Sequence, residues 1–197
     1  MEAGLRERKK RRTRQALVEA AVRLFEEKGY DGVTVAEIAA AAEVSTRTFF
    51  LHFQTKDDVL FANAAPRIDL GLQVIAERAG EPMREVLGRA MEAMIGHVWD
   101  GDLTSGLAAL RVRLAAGAPA LQAGMLQRFF TAQTELSGAL CRAYPDELDE
   151  VGAAALVGAL IGAVVAATAT SIGRGDSPDQ VRDAMRRAAE LVLPPGG

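Results

Sequence analysis

The stretch "VSTRTFFLHF", residues 44–53, sets a Ser-Thr-Arg-Thr run against three phenylalanines and a histidine. It is too polar at one end for a core helix and too aromatic at the other for a surface loop. Ser45 is a residue type that caps helix N-termini, because its hydroxyl accepts from the first free backbone N–H groups. A helix begun there places Phe49 and Phe53, four apart, on one face. Ser45, Thr46, Arg47 and Thr48 crowd its start. The pattern reads as a short helix anchored by its aromatic end and offering its polar end outward.

The flanking sequence supplies its neighbours. In "VTVAEIAAAAE" (33–43), Thr34 and Glu37 have the spacing of a capping box, and Val33 and Ile38 that of a hydrophobic staple. Upstream, Leu17, Ala20, Ala21, Leu24 and Phe25 recur at helical spacing within a helix expected over Arg6–Lys28, with Gly29 just past its end. Downstream, "QTKDDVL" (54–60) offers Thr55 as a cap, with Asp57 and Asp58 near the positive helix end. Residues 5–53 therefore read as three helices, the last two short and joined by a turn of about three residues, which is a helix-turn-helix. In that motif the start of the second short helix enters the major groove. Arg47 has the geometry to donate to guanine, while Ser45, Thr46 and Thr48 suit phosphates, base edges or the thymine methyl.

Charge is distributed to match. Residues 1–56 hold 11 Lys and Arg against 8 Asp and Glu, a net of +3; residues 57–197 hold 12 against 18, a net of −6, giving −3 in all. Seven basic residues fall within 1–14, among them Arg11, Arg12 and Arg14. A basic run preceding a helix-turn-helix is expected to lie along phosphates.

The fold class is all-α. Of 197 residues 49% are hydrophobic but only 5% aromatic, which favours closely packed helices over sheet. Pro82, Pro119, Pro145 and Pro178 read as first-turn prolines, each opening a longer helix. "SPDQ" (177–180) adds a capping box before Val181, Ala184, Met185, Ala188 and Leu191. Cys141 is the single cysteine, which excludes an internal disulfide and makes a cytoplasmic setting the default. The basic N-terminus has no apolar run after it and is not read as a secretory signal.

Val151–Gly173 carries no charge over 23 residues and as a helix spans roughly 34 Å. Its Ala- and Gly-rich composition, without an aromatic belt, speaks against a membrane span. It is expected instead to be buried at the centre of an assembly.

At this point "TVAEIAAAAEVSTRTFFLHFQTKDDVL" (34–60), preceded by "LFEEKGYDGVTV" (24–35), resembles the DNA-binding signature of the TetR/AcrR transcriptional regulators. The likeness is specific over residues 10–60 and general beyond. It implies a DNA-binding domain over 1–60 and a helical ligand-binding and dimerisation domain over 61–197. It implies phosphate contacts from Thr34, His52 and Lys56, with base and backbone contacts from Ser45 to Thr48. It also implies a homodimer on a double-stranded operator, released as a repressor by a small-molecule effector that respaces the two reading heads. Three positions depart from the pattern. Glu43 stands where the turn usually has glycine, Phe50 where a tyrosine hydroxyl often meets phosphate, and Leu51 where an aromatic or basic residue is common.

For the effector, the helices expected over Pro82–Trp99 and Pro119–Tyr144 offer Met91, Met94, Met125 and Phe129 as adaptable apolar walls. His97 and Gln133 are polar groups among them, and Thr168 interrupts the uncharged helix. For the dimer, Gly158 and Gly162 remove bulk along that helix, and with Leu156, Leu160, Met185 and Leu191 it is expected to form half of a two-fold, four-helix interface. No catalytic site is expected. The two histidines lie 45 residues apart, no metal-spaced cluster or nucleophile elbow occurs, and no cofactor motif is present. The acidic second half also disfavours a non-specific architectural DNA binder, since it would repel DNA.

Overall fold

The computed structural model of the chain describes residues 2–115 and 117–193, and their regular structure is helical. In order come α1 (Glu2–Lys28), α2 (Val35–Ala41), α3 (Thr46–Phe50), α4 (Lys56–Val59), α5 (Ala64–Ala76) and α6 (Met83–Val98). A π-helical turn (Trp99–Leu103) follows, then α7 (Leu107–Ala115), α8 (Pro119–Ala143), α9 (Glu150–Gly173) and α10 (Pro178–Val192). The chain forms two compact units, Met1–Ala62 with Ser105–Leu114, and Asn63–Thr104 with Ala115–Gly197. The division expected at residue 60 thus falls at Ala62, and most of α7 returns to the first unit. It does so because Leu107, Ala108 and Leu110 are buried, Arg111 donates to the Leu60 carbonyl at 3.0 Å and Arg113 pairs with Glu26 at 2.9 Å. Periodicity alone does not tell which core so short a helix joins.

In the first unit, α1 buries Leu17, Val18, Ala21, Leu24 and Phe25 on one face. It closes at Gly29, whose φ of 76° is open to a residue without Cβ. The cap of α2 is the full box: the Glu37 N–H donates to the Thr34 hydroxyl at 3.2 Å, and the Glu37 carboxylate accepts from the Thr34 N–H at 2.9 Å. Val33 and Ile38 are both buried, as a staple requires. Ser45 caps α3 through the Thr48 N–H at 3.1 Å. Thr55 caps α4 and Asp58 completes the box by accepting the Thr55 N–H at 3.0 Å. Helices of four to seven residues are not stable alone. These are held by Phe49, Phe53, Val59 and Leu60, all buried, each worth about 2 kcal/mol relative to exposure.

In the second unit α5 packs on α6 and α8, α8 on α9, and α9 on α10. Gly71 makes the first of these contacts possible: a Cβ there would stand 2.8 Å from Met94 Sδ and 3.0 Å from Leu136 Cδ2. Pro119 and Pro178 fall in first turns as expected. Pro82 is instead the cap residue of α6, and Pro145 lies in the loop before α9, which is capped by Asp149 accepting from the Gly152 N–H at 2.7 Å. The capping carboxylate, not the proline, fixes where α9 begins. The helix expected to run to Trp99 changes there to the π turn. It turns Asp102 inward, 1% exposed, where Asn63 Nδ2 donates to it at 2.7 Å and Arg67 approaches at 3.6 Å.

Candidate nucleic-acid interface

The reading helix is presented by burial on one side and capping on the other. Phe49 and Phe53 stack 5.6 Å apart inside the first unit, which leaves Ser45, Thr46 and Arg47 exposed at the free start of α3 and Thr48 half-buried. Ser45 and Thr48 share a hydrogen bond between their hydroxyls at 2.9 Å. Arg47 makes no hydrogen bond or ion pair among the described residues, so its five donors face outward. Phe50, 54% exposed, packs its ring edge-on to Phe49, and Leu51 is 73% exposed. Together they give the reading face an apolar shoulder. The turn into α3 is closed by the Glu43 N–H on Ala40 and the Val44 N–H on Ala39, with Glu43 at φ 56°.

Three of the residues tied to phosphates, Arg14, Lys56 and Thr34, are engaged within the chain. Arg14 is half-buried: its guanidinium donates to the carbonyls of His52 and Ala62, both at 2.8 Å, and lies 4.2 Å from the Phe53 ring centre. Burial also lowers its pKa. Lys56 donates to the carbonyls of Tyr30 at 2.9 Å and Val33 at 3.3 Å and sits over the Tyr30 ring. Tyr30 in turn donates to Asp57. These two cations therefore brace the first unit from within, because a buried carbonyl left unpaired costs more than a solvated cation gains. Thr34 spends both its donors on Glu37, its N–H and its hydroxyl each at 2.9 Å. What remains for an anion there is the free backbone N–H groups at the start of α2. His52 lines a groove and its Nδ1 is buried without a partner. Only Arg11 and Arg12 of the basic candidates on α1 are simply exposed.

Sequence reasoning missed the face of α1 that meets α3. Arg6, Lys9, Lys10 and Thr13 line an open groove of ≈ 630 Å³ with Thr48, Leu51 and His52. Their spacing of three and four was the available signal, once the basic run is read as helix rather than arm.

The candidates in the second unit disperse. Met91 and Met94 are buried core. Gln133 donates to the Ala154 carbonyl at 3.4 Å, and Thr168 to the Val164 carbonyl at 2.7 Å, so both are satisfied by α9 backbone. Met125 and Phe129 are half-buried, with Phe129 edge-on to the exposed Phe130. Of these candidates His97 alone has an open valence: its Nε2 is buried without a partner, and burial and then Arg67 lower its pKa against the opposing pull of Asp102 and Asp100. The open cavity of ≈ 550 Å³ beside α9 and α10 is lined by none of these seven. Three interface candidates pack within the chain. Leu160 and Met185 are buried within the chain, and Gly158 lies against Gln133, where a Cβ would stand 3.5 Å from Nε2. One face of α9 turns to the chain's core at every turn, and the opposite face turns away from it. Leu191 is 84% exposed and Leu156 is half-buried, Gly162 faces open space, and Val151 and Val165 are exposed beside them.

A capped two-helix reading head on a third, basic helix defines a helix-turn-helix protein. A model of the family described as "Bacterial regulatory proteins, tetR family" matches residues 17–62. Residues 17–62 thus form a DNA-binding domain of the kind that family carries. It is 38% identical over 143 residues to the HTH-type transcriptional regulator TcmR of Streptomyces glaucescens, a match covering 71% of this chain and 62% of that one. This chain thus spans less than two thirds of that relative. Among solved structures, the fatty acid degradation regulator FadR of Bacillus halodurans superposes with a TM-score of 0.62 at 18% identity, over 93% of this chain and 95% of that one. A SmeT–triclosan complex superposes with a TM-score of 0.64 at 18% identity, over 92% and 90%. At such identities the structures attest the fold. The family and the named relatives are regulators and not enzymes.

Proposed function

We propose that the chain is a sequence-specific transcriptional repressor that binds its operator as a homodimer and is released by a small, largely apolar molecule. The observation that carries this reading is the exposed, unpartnered Arg47 beside capped Ser45 and Thr46, on a helix fixed from behind by Phe49 and Phe53. A side chain held at a helix start with free donors is what base-edge readout needs. The dimer is supported by α9, which is long and apolar enough to cross a membrane although only 17% of its most apolar window is buried within the chain. A second copy covering its Val151 and Val165 side, together with Leu191, answers that exposure as well as lipid would. The membrane alternative lacks the aromatic flanks. The effector reading is supported by the polar corner of Arg67, Asp102 and His97 set into a methionine-lined core.

The test is binding of the purified chain to a duplex selected from random DNA and to a scrambled duplex, with stoichiometry measured on the complex. Tight binding to one duplex by two chains is expected. Arg47→Ala should cost about 1–3 kcal/mol on the selected site and little on the scrambled one. Equal losses on both would remove its base-reading role.

A further inference from the structure

Among the described side chains the first unit leaves two large apolar ones exposed, Phe50 and Leu51, and they are neighbours on the reading helix. Their counterparts Phe49, Phe53, Val59 and Leu60 are all buried. Helical geometry places Phe50 one turn after Thr46, and Leu51 one turn after Arg47. Leu51 keeps that geometry at φ −74° and ψ −17°, with its N–H on the Arg47 carbonyl at 3.2 Å. The outward face of α3 is therefore Thr46 and Arg47 followed by a phenyl ring and an isobutyl group. The ring is held in place, 5.5 Å from that of wholly buried Phe49 at an interplanar angle of 86°. On its far side Leu51 borders the basic groove with Arg6, Lys9 and Lys10. Isolated exposed apolar residues are ordinary. An ordered pair on a face that otherwise offers donors is not.

We propose that Phe50 and Leu51 seat a thymine 5-methyl group in the major groove, beside the base edge that Arg47 contacts, and so determine part of the chain's sequence preference. The inference rests on the DNA-binding reading above and adds to it an apolar specificity element. A phosphate rewards charge and donors, and a phenyl ring without a hydroxyl has neither to give. The donors and acceptors on the major-groove edges of guanine, adenine and cytosine gain nothing from it either. The one apolar group on those edges is the thymine methyl. Cytosine carries only hydrogen at the same ring carbon, whereas 5-methylcytosine carries the methyl. Burial of one methyl group corresponds to about fourfold in affinity. A ring already positioned by Phe49 gives up little freedom to achieve it.

Geometry says where the methyl belongs. Phe50 and Leu51 stand three and four residues beyond Arg47, about 5–6 Å along the helix axis. Successive base pairs are about 3.4 Å apart. The thymine is therefore expected within about two base pairs of the guanine that Arg47 contacts. An apolar contact of this kind releases no counterions, so the preference for the methyl holds constant as salt lowers the total affinity.

The experiment measures binding of the full chain to its selected duplex and to copies in which each thymine in turn is replaced by deoxyuridine. That replacement removes the methyl and keeps every hydrogen bond of the base pair. One or two positions per half-site, near the guanine located by Arg47→Ala, should lose about three- to fivefold, equally at low and high salt. Cytosine at such a position should bind more weakly, and 5-methylcytosine should recover about three- to fivefold of that loss. Phe50→Ala, checked for an unchanged melting curve, should bind the thymine duplex about three- to fivefold more weakly and no longer distinguish it from the deoxyuridine duplex. Leu51→Ala should narrow the same difference. A deoxyuridine penalty that survives both substitutions in full overturns the proposal and assigns the methyl to another group. Specific binding with no deoxyuridine-sensitive position overturns it as well and leaves the DNA-binding reading intact. So does a Phe50→Ala variant changed only in the sedimentation of the free chain, which would give the apolar pair to a second copy. Absence of binding to any selected duplex overturns both readings.

Discussion

Glu43 holds φ at 56°, and among the described residues it is the one non-glycine on that side of the Ramachandran map. The turn between α2 and α3 needs this geometry, since the Glu43 and Val44 N–H groups must both fold back onto α2. A Cβ in left-handed geometry costs about 1–2 kcal/mol. Glu43→Gly removes that strain but loosens the unfolded chain by part of the same amount. A net stabilisation of about 1 kcal/mol is expected, read as a rise of about 2–4 °C in melting temperature for a chain of this size; a fall would mean that the Glu43 side chain itself holds the turn. The departure from glycine was legible in the sequence, and so was the polar, outward start of α3. What the sequence did not disclose was the inward use of Arg14 and Lys56. Nothing in a residue type says whether a cation ends on a carbonyl or in solvent until the carbonyls that need it have been placed.

The short helices of the first unit depend on their caps. Thr34 and Glu37 close α2 reciprocally, with Lys28 2.7 Å from the Glu37 carboxylate. The Lys28 bond and then the two from Thr34 lower the Glu37 pKa to about 2. A depressed carboxylate supports folding above its unfolded value, and the support is lost as pH falls through the folded value. The cap is therefore expected to persist through ordinary carboxylate titration and to fail only as pH approaches 2. Helical circular dichroism followed from pH 6 to 2 in wild type and Glu37→Gln checks this. The variant should lose the acid-dependent step and start from lower stability, and a matching acid step in both would assign it elsewhere. At this scale the sequence was most informative, because caps are local and three of them were read from residue type and spacing alone. Pro145 misled for the same reason, as a proline signal was read without seeing that Asp149 supplies the stronger one. The π turn had no signal, since it answers to the buried Asp102, Asn63 and Arg67 set, which joins residues from separate helices.

For the whole molecule, α9 divides its residues between the core of its own unit and an exposed face. Leu160 is buried within the chain, Val165 is exposed. Leu160→Ala is expected to lower folding stability by about 2–5 kcal/mol. Val165→Asp should leave the subunit folded and shift sedimentation from two chains to one. A folded, still dimeric Val165→Asp would place the two-fold elsewhere. The helix was identifiable from sequence as a long uncharged element. Its facing was not, because a run of Ala, Gly, Val and Leu without charge has no polar side to orient it.

The long first helix carries a further consequence. Its opening turns hold Arg6, Arg8, Lys9, Lys10, Arg11 and Arg12 within seven residues, near the helix end that prefers negative charge. Like charges stacked one turn apart push this segment toward coil, and its helicity is set by whatever screens them. The start of α1, helical in the structure, is expected to gain helical stability as counterions or a polyanion screen these charges. The charges that work against this helix are the ones that a bound polyanion would neutralise.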